Sequence, residues 1–116
     1  MNELNKSKKL YEKAKKYIAG GVSSQIRILE HSEVPLFIKK AKGSKIWDVD
    51  GNEYIDYIQG MGPNIFGHSP EFLNKSVSED IKKGMVYAAQ FDKEIDVAKK
   101  ALSILGVKDW TVRFAS

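Results

Sequence analysis

Arg27 is the first candidate for chemistry. It lies in Gly20-Gly21-Val22-Ser23-Ser24-Gln25-Ile26-Arg27-Ile28-Leu29, a stretch with neither helical nor strand period, and isoleucines flank it. A guanidinium among apolar neighbours is expected to be partly buried and must then find an anion. Two roles meet that need. One is a structural salt bridge to an Asp or Glu. The other is a planar fork for a substrate carboxylate.

The second candidate is the run Gln59-Gly60-Met61-Gly62-Pro63-Asn64-Ile65-Phe66-Gly67. Its glycines and proline break regular structure, yet Met61, Ile65 and Phe66 are apolar. Such a loop suits contact with a ligand or another subunit better than open water. It lacks the G-x-G-x-x-G spacing of a dinucleotide fingerprint. Asp48, Asp50 and Asn52 resemble a calcium loop, but the sixth and twelfth positions hold Glu53 and Gln59 where an EF-hand needs Gly and Glu. They are expected to form a turn with exposed strand carboxylates. His31 and His68 have no second His or Cys at ligand spacing, so no metal is expected. His68, just before a helix start, is expected to satisfy loop backbone with a ring nitrogen. No nucleophile–base–acid set can be assembled.

Composition narrows the classes. At 116 residues, 42% hydrophobic and 29% charged, the chain suits one small folded domain rather than a disordered one. It has no cysteine, which excludes disulfides and thiolate metal sites. No apolar run reaches transmembrane length and the N-terminus is polar and Lys-rich, so no membrane association and a cytoplasmic location are expected. The net charge of +4 comes mainly from Lys interleaved with acids, with only Arg27 and Arg113 as arginines. Lys6, Lys8, Lys9, Lys13, Lys15 and Lys16 read as one solvated helix side, and nucleic acid is not an expected partner.

The elements that must position the candidates follow from period and punctuation. Residues 3–18 read as an amphipathic helix with Leu10, Tyr11, Ala14, Tyr17 and Ile18 on one face, stopped by Gly20-Gly21. Residues 22–34 read as an extended loop. Strands are expected over 36–41, 45–49 and 53–58, turned at Lys42-Gly43-Ser44 and Asp50-Gly51-Asn52, which makes a three-stranded antiparallel meander. Ser69-Pro70 reads as the N-cap and first position of a helix carrying Leu73, Val77 and Ile81. Asp92 reads as the cap of a helix that buries Ile95, Ala98, Leu102 and Leu105 and ends at Gly106. Residues 110–115 alternate like a strand. This arrangement predicts an α+β fragment with 1–58 as helix and meander, and 59–116 as cleft loop, two helices and the first strand of a larger domain.

Together these segments resemble, in order, the N-terminal part of class III pyridoxal-phosphate-dependent aminotransferases, in particular the branch of glutamate-1-semialdehyde 2,1-aminomutase and related transaminases. The resemblance is carried by residues 16–27, the meander from Pro35 to Tyr57, Gly62-Pro63 with Gly67-His68, and Val112-Arg113-Phe114-Ala115-Ser116. It implies a parent α/β enzyme of fold type I, with pyridoxal 5'-phosphate as cofactor, a small amino acid or amino-aldehyde as substrate, and a homodimer as the working form. It implies that Arg27 binds a substrate carboxylate, with Ser24 in the same loop. It places Met61 along the substrate wall, and Gly60, Gly62 and Ser116 along the cofactor cleft. Two positions depart from the pattern. Ala19 replaces a usual Pro, and Met61 stands where the aminomutases commonly carry Trp, which leaves ordinary transamination open beside mutation. The family's Schiff-base Lys, the Asp facing the pyridinium nitrogen and the phosphate loop are expected beyond Ser116, so no catalytic residue is assigned here and the chain alone is expected to be inactive. The other reading of the same residues is a non-enzymatic interaction module that docks through its exposed loop and terminal strand.

Overall fold

A computed structural model describes residues 4–28 and 32–115. Helix α1 (Asn5–Lys15) leads into strands β1 (Ile38–Lys42), β2 (Lys45–Asp48) and β3 (Glu53–Ile55), followed by helices α2 (Glu71–Ile81) and α3 (Asp92–Leu105). The strands form one antiparallel sheet in the order β1-β2-β3. The expected helix, meander and two helices are therefore present. Compactness divides the chain into two units, 1–75 and 76–116.

In the first unit the meander takes its register from two turns. Ala41 faces Ile46 across β1 and β2, and Ile46 faces Tyr54 across β2 and β3, with an irregularity between Ile38 and Lys40. Lys40 stands over the Trp47 ring at 4.4 Å, and Lys45 pairs with Glu53 at 2.6 Å. The third strand is shorter than expected. Asp56 ends it, because its carboxylate accepts the N–H groups of Ile58 at 2.9 Å and Gln59 at 3.1 Å and turns the chain.

Helix α1 stops at Lys15, and Gly20 and Gly21 follow with φ of 66° and 75° in a separate short turn. Gly21 has a second reason to be glycine: a Cβ there would lie 2.5 Å from Cε2 of Tyr11. Residues 25–27 form a single 3-10 turn inside the expected loop.

The starts of α2 and α3 both differ from expectation. The Pro70 carbonyl accepts the N–H of Asn74, so Pro70 is the capping residue of α2, and Ser69 precedes it at φ 51°. Phe91 occupies the N-cap of α3 in extended conformation, and Asp92 is the first helical residue. Gly106 closes α3 in the left-handed conformation, as expected. Tyr87 donates its hydroxyl to the carbonyls of Lys83 and Gly84 beyond the end of α2. Residues 110–115 carry no ladder among the described residues, because a strand is defined by hydrogen-bonded neighbours and alternation alone supplies none.

Apolar burial is sparse. Val34 is the one buried hydrophobic among the described residues, whereas Val86 is 94% exposed and Ile65 78%. The α3 face expected to be buried is only half-covered at Ala98 and Leu102, and Ile95 and Leu105 are exposed. What holds the first unit is polar instead. Among its described residues the fully buried side chains are Ser7 and Asp48.

Candidate functional site

The acidic turn shows how these polar contacts work. Asp48, expected to be exposed, is fully buried. Its Oδ1 accepts the N–H groups of Asp50 at 2.9 Å and Asn52 at 2.8 Å, and its Oδ2 accepts the Asn52 amide at 2.8 Å and the Tyr54 hydroxyl at 2.9 Å. Burial on its own would raise the carboxyl pKa, but the bonds from Asn52, Tyr54 and Asp50 outweigh it and hold Asp48 below its ordinary value. The neighbouring Asp50 reaches across to α1. Its carboxylate accepts the N–H of Lys6 at 2.7 Å, the N–H of Ser7 at 3.0 Å and the Ser7 hydroxyl at 2.6 Å. Leu4 offers α1 no side-chain cap, so Asp50 caps the helix from the hairpin and meets its positive end with a charge. These carboxylates are occupied with protein donors and order the fold around the site.

The Gly-rich loop is tied down in the same manner. His68 Nε2 lies 2.7 Å from Asp56 Oδ2, and Asn64 Nδ2 lies 3.1 Å from His68 Nδ1. The Asn64 amide also donates to Gln59 Oε1 at 3.0 Å, and Gln59 Nε2 donates to the Asp56 carbonyl at 2.6 Å. The His68 ring thus pairs with side chains rather than with loop backbone. Its backbone exchanges two bonds of 2.8 Å with Gly43, which fastens the end of the loop to the β1–β2 turn. The His68 contact is the largest cause holding the Asp56 carboxyl below its ordinary value, with the Gln59 N–H next.

Two of the sequence candidates, Arg27 and Gly62, line clefts of the first unit. Arg27 lines a cleft of ≈ 390 Å³ that α1 contributes to through Leu10, Ala14 and Ile18, and the chain before β1 through Pro35, Leu36 and Phe37. Arg27 is exposed, not partly buried as expected, and its guanidinium has no ion pair among the described residues. Gly62 lines a second, open cleft of ≈ 460 Å³ together with Gly43, Ser44, Gln59, Asn64 and Ile65. Ser24, Gly60 and Met61 line neither cleft, and Met61 is 72% exposed. Ser116 and His31 lie outside the described residues.

A phosphorylated, aromatic cofactor needs cationic or multiple N–H donors for its phosphate and a lysine for covalent attachment. No Lys or Arg lines the cleft of the Gly-rich loop. The lining of this cleft is one open wall and does not by itself complete a site for such a group. Asp56, which lies outside the candidate run, carries a local signal of its own: an Asp two residues before Ile58, between strand and glycines, marks a side-chain-capped turn.

Comparison with known proteins gives this wall a context. Over 100 residues the chain is 46% identical to glutamate-1-semialdehyde 2,1-aminomutase of Methanosphaera stadtmanae, a match covering 86% of this chain and 23% of that protein. It is 51% identical over 94 residues to the protein of the same name from Thermodesulfovibrio yellowstonii, covering 80% and 22%. The chain thus spans about a quarter of the length of these curated relatives. Among solved structures, a PLP form of the FumI protein of Sphingopyxis sp. MTA144 superposes with a TM-score of 0.76 at 28% identity, covering 91% of this chain and 26% of that one. Residues 28–116 match the model of the family Aminotransferase class-III. With most of its length inside that match, the chain belongs to the class III aminotransferases.

Proposed function

We propose that these residues are the N-terminal portion of a pyridoxal-phosphate-dependent aminomutase or aminotransferase acting on a small amino-acid or amino-aldehyde carboxylate. Arg27 serves as the carboxylate fork, with Ser24 beside it in the loop. Met61 is assigned to the substrate side and Gly60 and Gly62 to the cofactor side, with Ser116, outside the described residues, assigned to the cofactor side as well. The observation that carries this reading is Arg27: a guanidinium at the rim of an apolar cleft, with no carboxylate partner among the described residues, is matched by a bidentate anionic ligand. Similarity to the aminomutase relatives favours mutation, while Met61 in place of an aromatic wall keeps transamination as the other outcome.

Pyridoxal phosphate, when bound, supplies the electron sink for a carbanion next to the substrate nitrogen. This chain's own residues hold and orient the substrate carboxylate and close one side of the cleft. The remaining contacts to the cofactor belong to the complete enzyme, which in this reading is a cytoplasmic homodimer divided after residue 58. No helix among the described residues is long and apolar enough to cross a membrane.

The test is kinetic. In the complete enzyme, Arg27→Lys is expected to raise KM for the carboxylate substrate about tenfold with cofactor binding intact, since an ammonium cannot replace the fork. Unchanged KM would return Arg27 to a structural role. Turnover of glutamate-1-semialdehyde without an added amino acceptor would separate mutase from transaminase. The interaction-module reading draws support from the exposed apolar side chains, such as Val86 and Ile65. A sharp, cooperative melt of this chain as a dilute monomer would favour it.

A further inference from the structure

The backbone at the start of the Gly-rich loop is strained. Gln59, Gly60, Met61 and Gly62 have φ of 48°, 65°, 68° and 115°, so four consecutive residues lie on the left-handed side and two of them are not glycine. A bulky L-residue such as Met pays steric cost there and stays only where its surroundings over-determine it. Those surroundings are the four side chains Asp56, Gln59, Asn64 and His68. Asp56 receives the two N–H groups that lead into the strained run, and the Gln59 side chain folds back to the Asp56 carbonyl. Asn64 bridges Gln59 to the His68 ring, and the ring returns to Asp56. The circuit is closed, and every polar atom it uses finds a partner within the loop. Its far end is pinned where Gly67 passes Gly43 so closely that a Cβ at Gly67 would lie 2.9 Å from the Gly43 carbonyl oxygen.

We infer that Asp56, Gln59, Asn64 and His68 are positioning residues that hold the loop in its left-handed geometry and thereby present the exposed Met61 side chain as the adjustable part of the substrate wall. The circuit fixes the backbone and leaves the side chain at position 61 free to differ in size. The wall can then change its substrate preference without rebuilding the loop. The inference rests on the aminotransferase reading only for what Met61 faces; the circuit itself stands on the contacts above.

Two measurements on the complete enzyme test it. The first is hydrogen exchange without added substrate, comparing wild type, His68→Ala and His68→Gln. His68→Ala is expected to speed exchange of the Ile58, Gln59 and Gly62 amides about tenfold or more, and to leave the Asp50 and Asn52 amides unchanged. His68→Gln, which keeps an amide to face Asp56, is expected to recover most of the protection. The second is steady-state kinetics. His68→Ala is expected to raise KM more than it lowers kcat, with His68→Gln restoring KM. Unaltered exchange at residues 58–62 in a folded His68→Ala protein would overturn the circuit. Faster exchange with unaltered KM would overturn the positioning role. An inactive wild type would instead sink the aminotransferase reading, and the exchange result would still decide whether the circuit holds the loop. If His68→Ala fails to fold, Asn64→Ala, which removes the bridge but keeps the contact between His68 and Asp56, replaces it with the same expected outcomes.

Discussion

The two units of the chain are stabilised in opposite ways. In 1–75, three aspartates each collect several donors. Asp48 closes the hairpin turn, Asp50 caps α1 from a distance of more than forty residues along the chain, and Asp56 anchors the Gly-rich loop. Among the described residues of 76–116 none is buried, and the apolar faces of the helices lie open at Val77, Ile81, Ile95 and Leu105. A carboxylate staple needs only a few donors, whether from its own turn, as at Asp48, or from a helix more than forty residues away, as at Asp50. A helix face needs a second apolar surface along its whole length. The Gly-rich loop is therefore ordered by a few polar contacts inside the first unit, whereas the helices following it carry faces that nothing among the described residues covers.

The contrast can be broken most strongly at Asp48. Asp48→Ala removes a buried carboxylate that accepts four hydrogen bonds, from Asp50, Asn52 and Tyr54; a loss of about 3 kcal/mol is expected in the stability of the hairpin. Thermal or urea unfolding followed by Trp47 fluorescence would report it, and an unchanged midpoint would mean that the turn does not depend on the buried carboxylate.

Acid should separate the units next. Asp48, Asp50 and Asp56 all have carboxyl pKa values held below the ordinary 3.8. A depressed value in the folded state means that the stabilisation is fully present above the unfolded value and is lost as pH falls through the folded one. Protection of the hairpin and loop amides is thus expected to persist down to the ordinary carboxylate range and to fall below it. In the second unit Asp80 alone shares this depression, through Lys93 and Lys83 on an exposed surface, so α3 should respond less. Equal acid sensitivity of both units would remove the distinction.

The smallest effect is the most diagnostic of the open helices. Ile95 is 60% exposed, and Ile95→Gln in this chain is expected to change stability by less than about 0.5 kcal/mol. The same substitution in the complete enzyme is expected to cost about 2 kcal/mol or more if the face is covered there. Equal values in the two settings would show that α3 keeps this face in water throughout.

Much of the fold was legible in the sequence. The periods of α1, α2 and α3, the Asp-Gly turn and the left-handed Gly106 each arise from interactions within a few residues, and local chemistry suffices to read them. The order of motifs was enough to identify the family before any geometry. Legibility failed where partners are distant. Nothing near Ser7 announces that Asp50 will cap it, and nothing near His68 announces Asp56, twelve residues earlier. The same limit explains residues 110–115, whose alternation is real but whose strand character requires neighbours. At α2 the capping position falls on Pro70 rather than Ser69, since the Pro70 carbonyl accepts the first helical N–H, from Asn74.

For the site, the sequence by itself determined the residue types: an arginine in an irregular apolar segment, and a glycine-rich loop holding a methionine. Only the tertiary structure decided their state. It left Arg27 exposed at the rim of a cleft with no ion pair among the described residues, because no described carboxylate folds within reach of it. It set Met61 at φ 68° on a loop clamped by Asp56 and His68, because positive φ at a non-glycine residue is held by contacts that no local preference supplies.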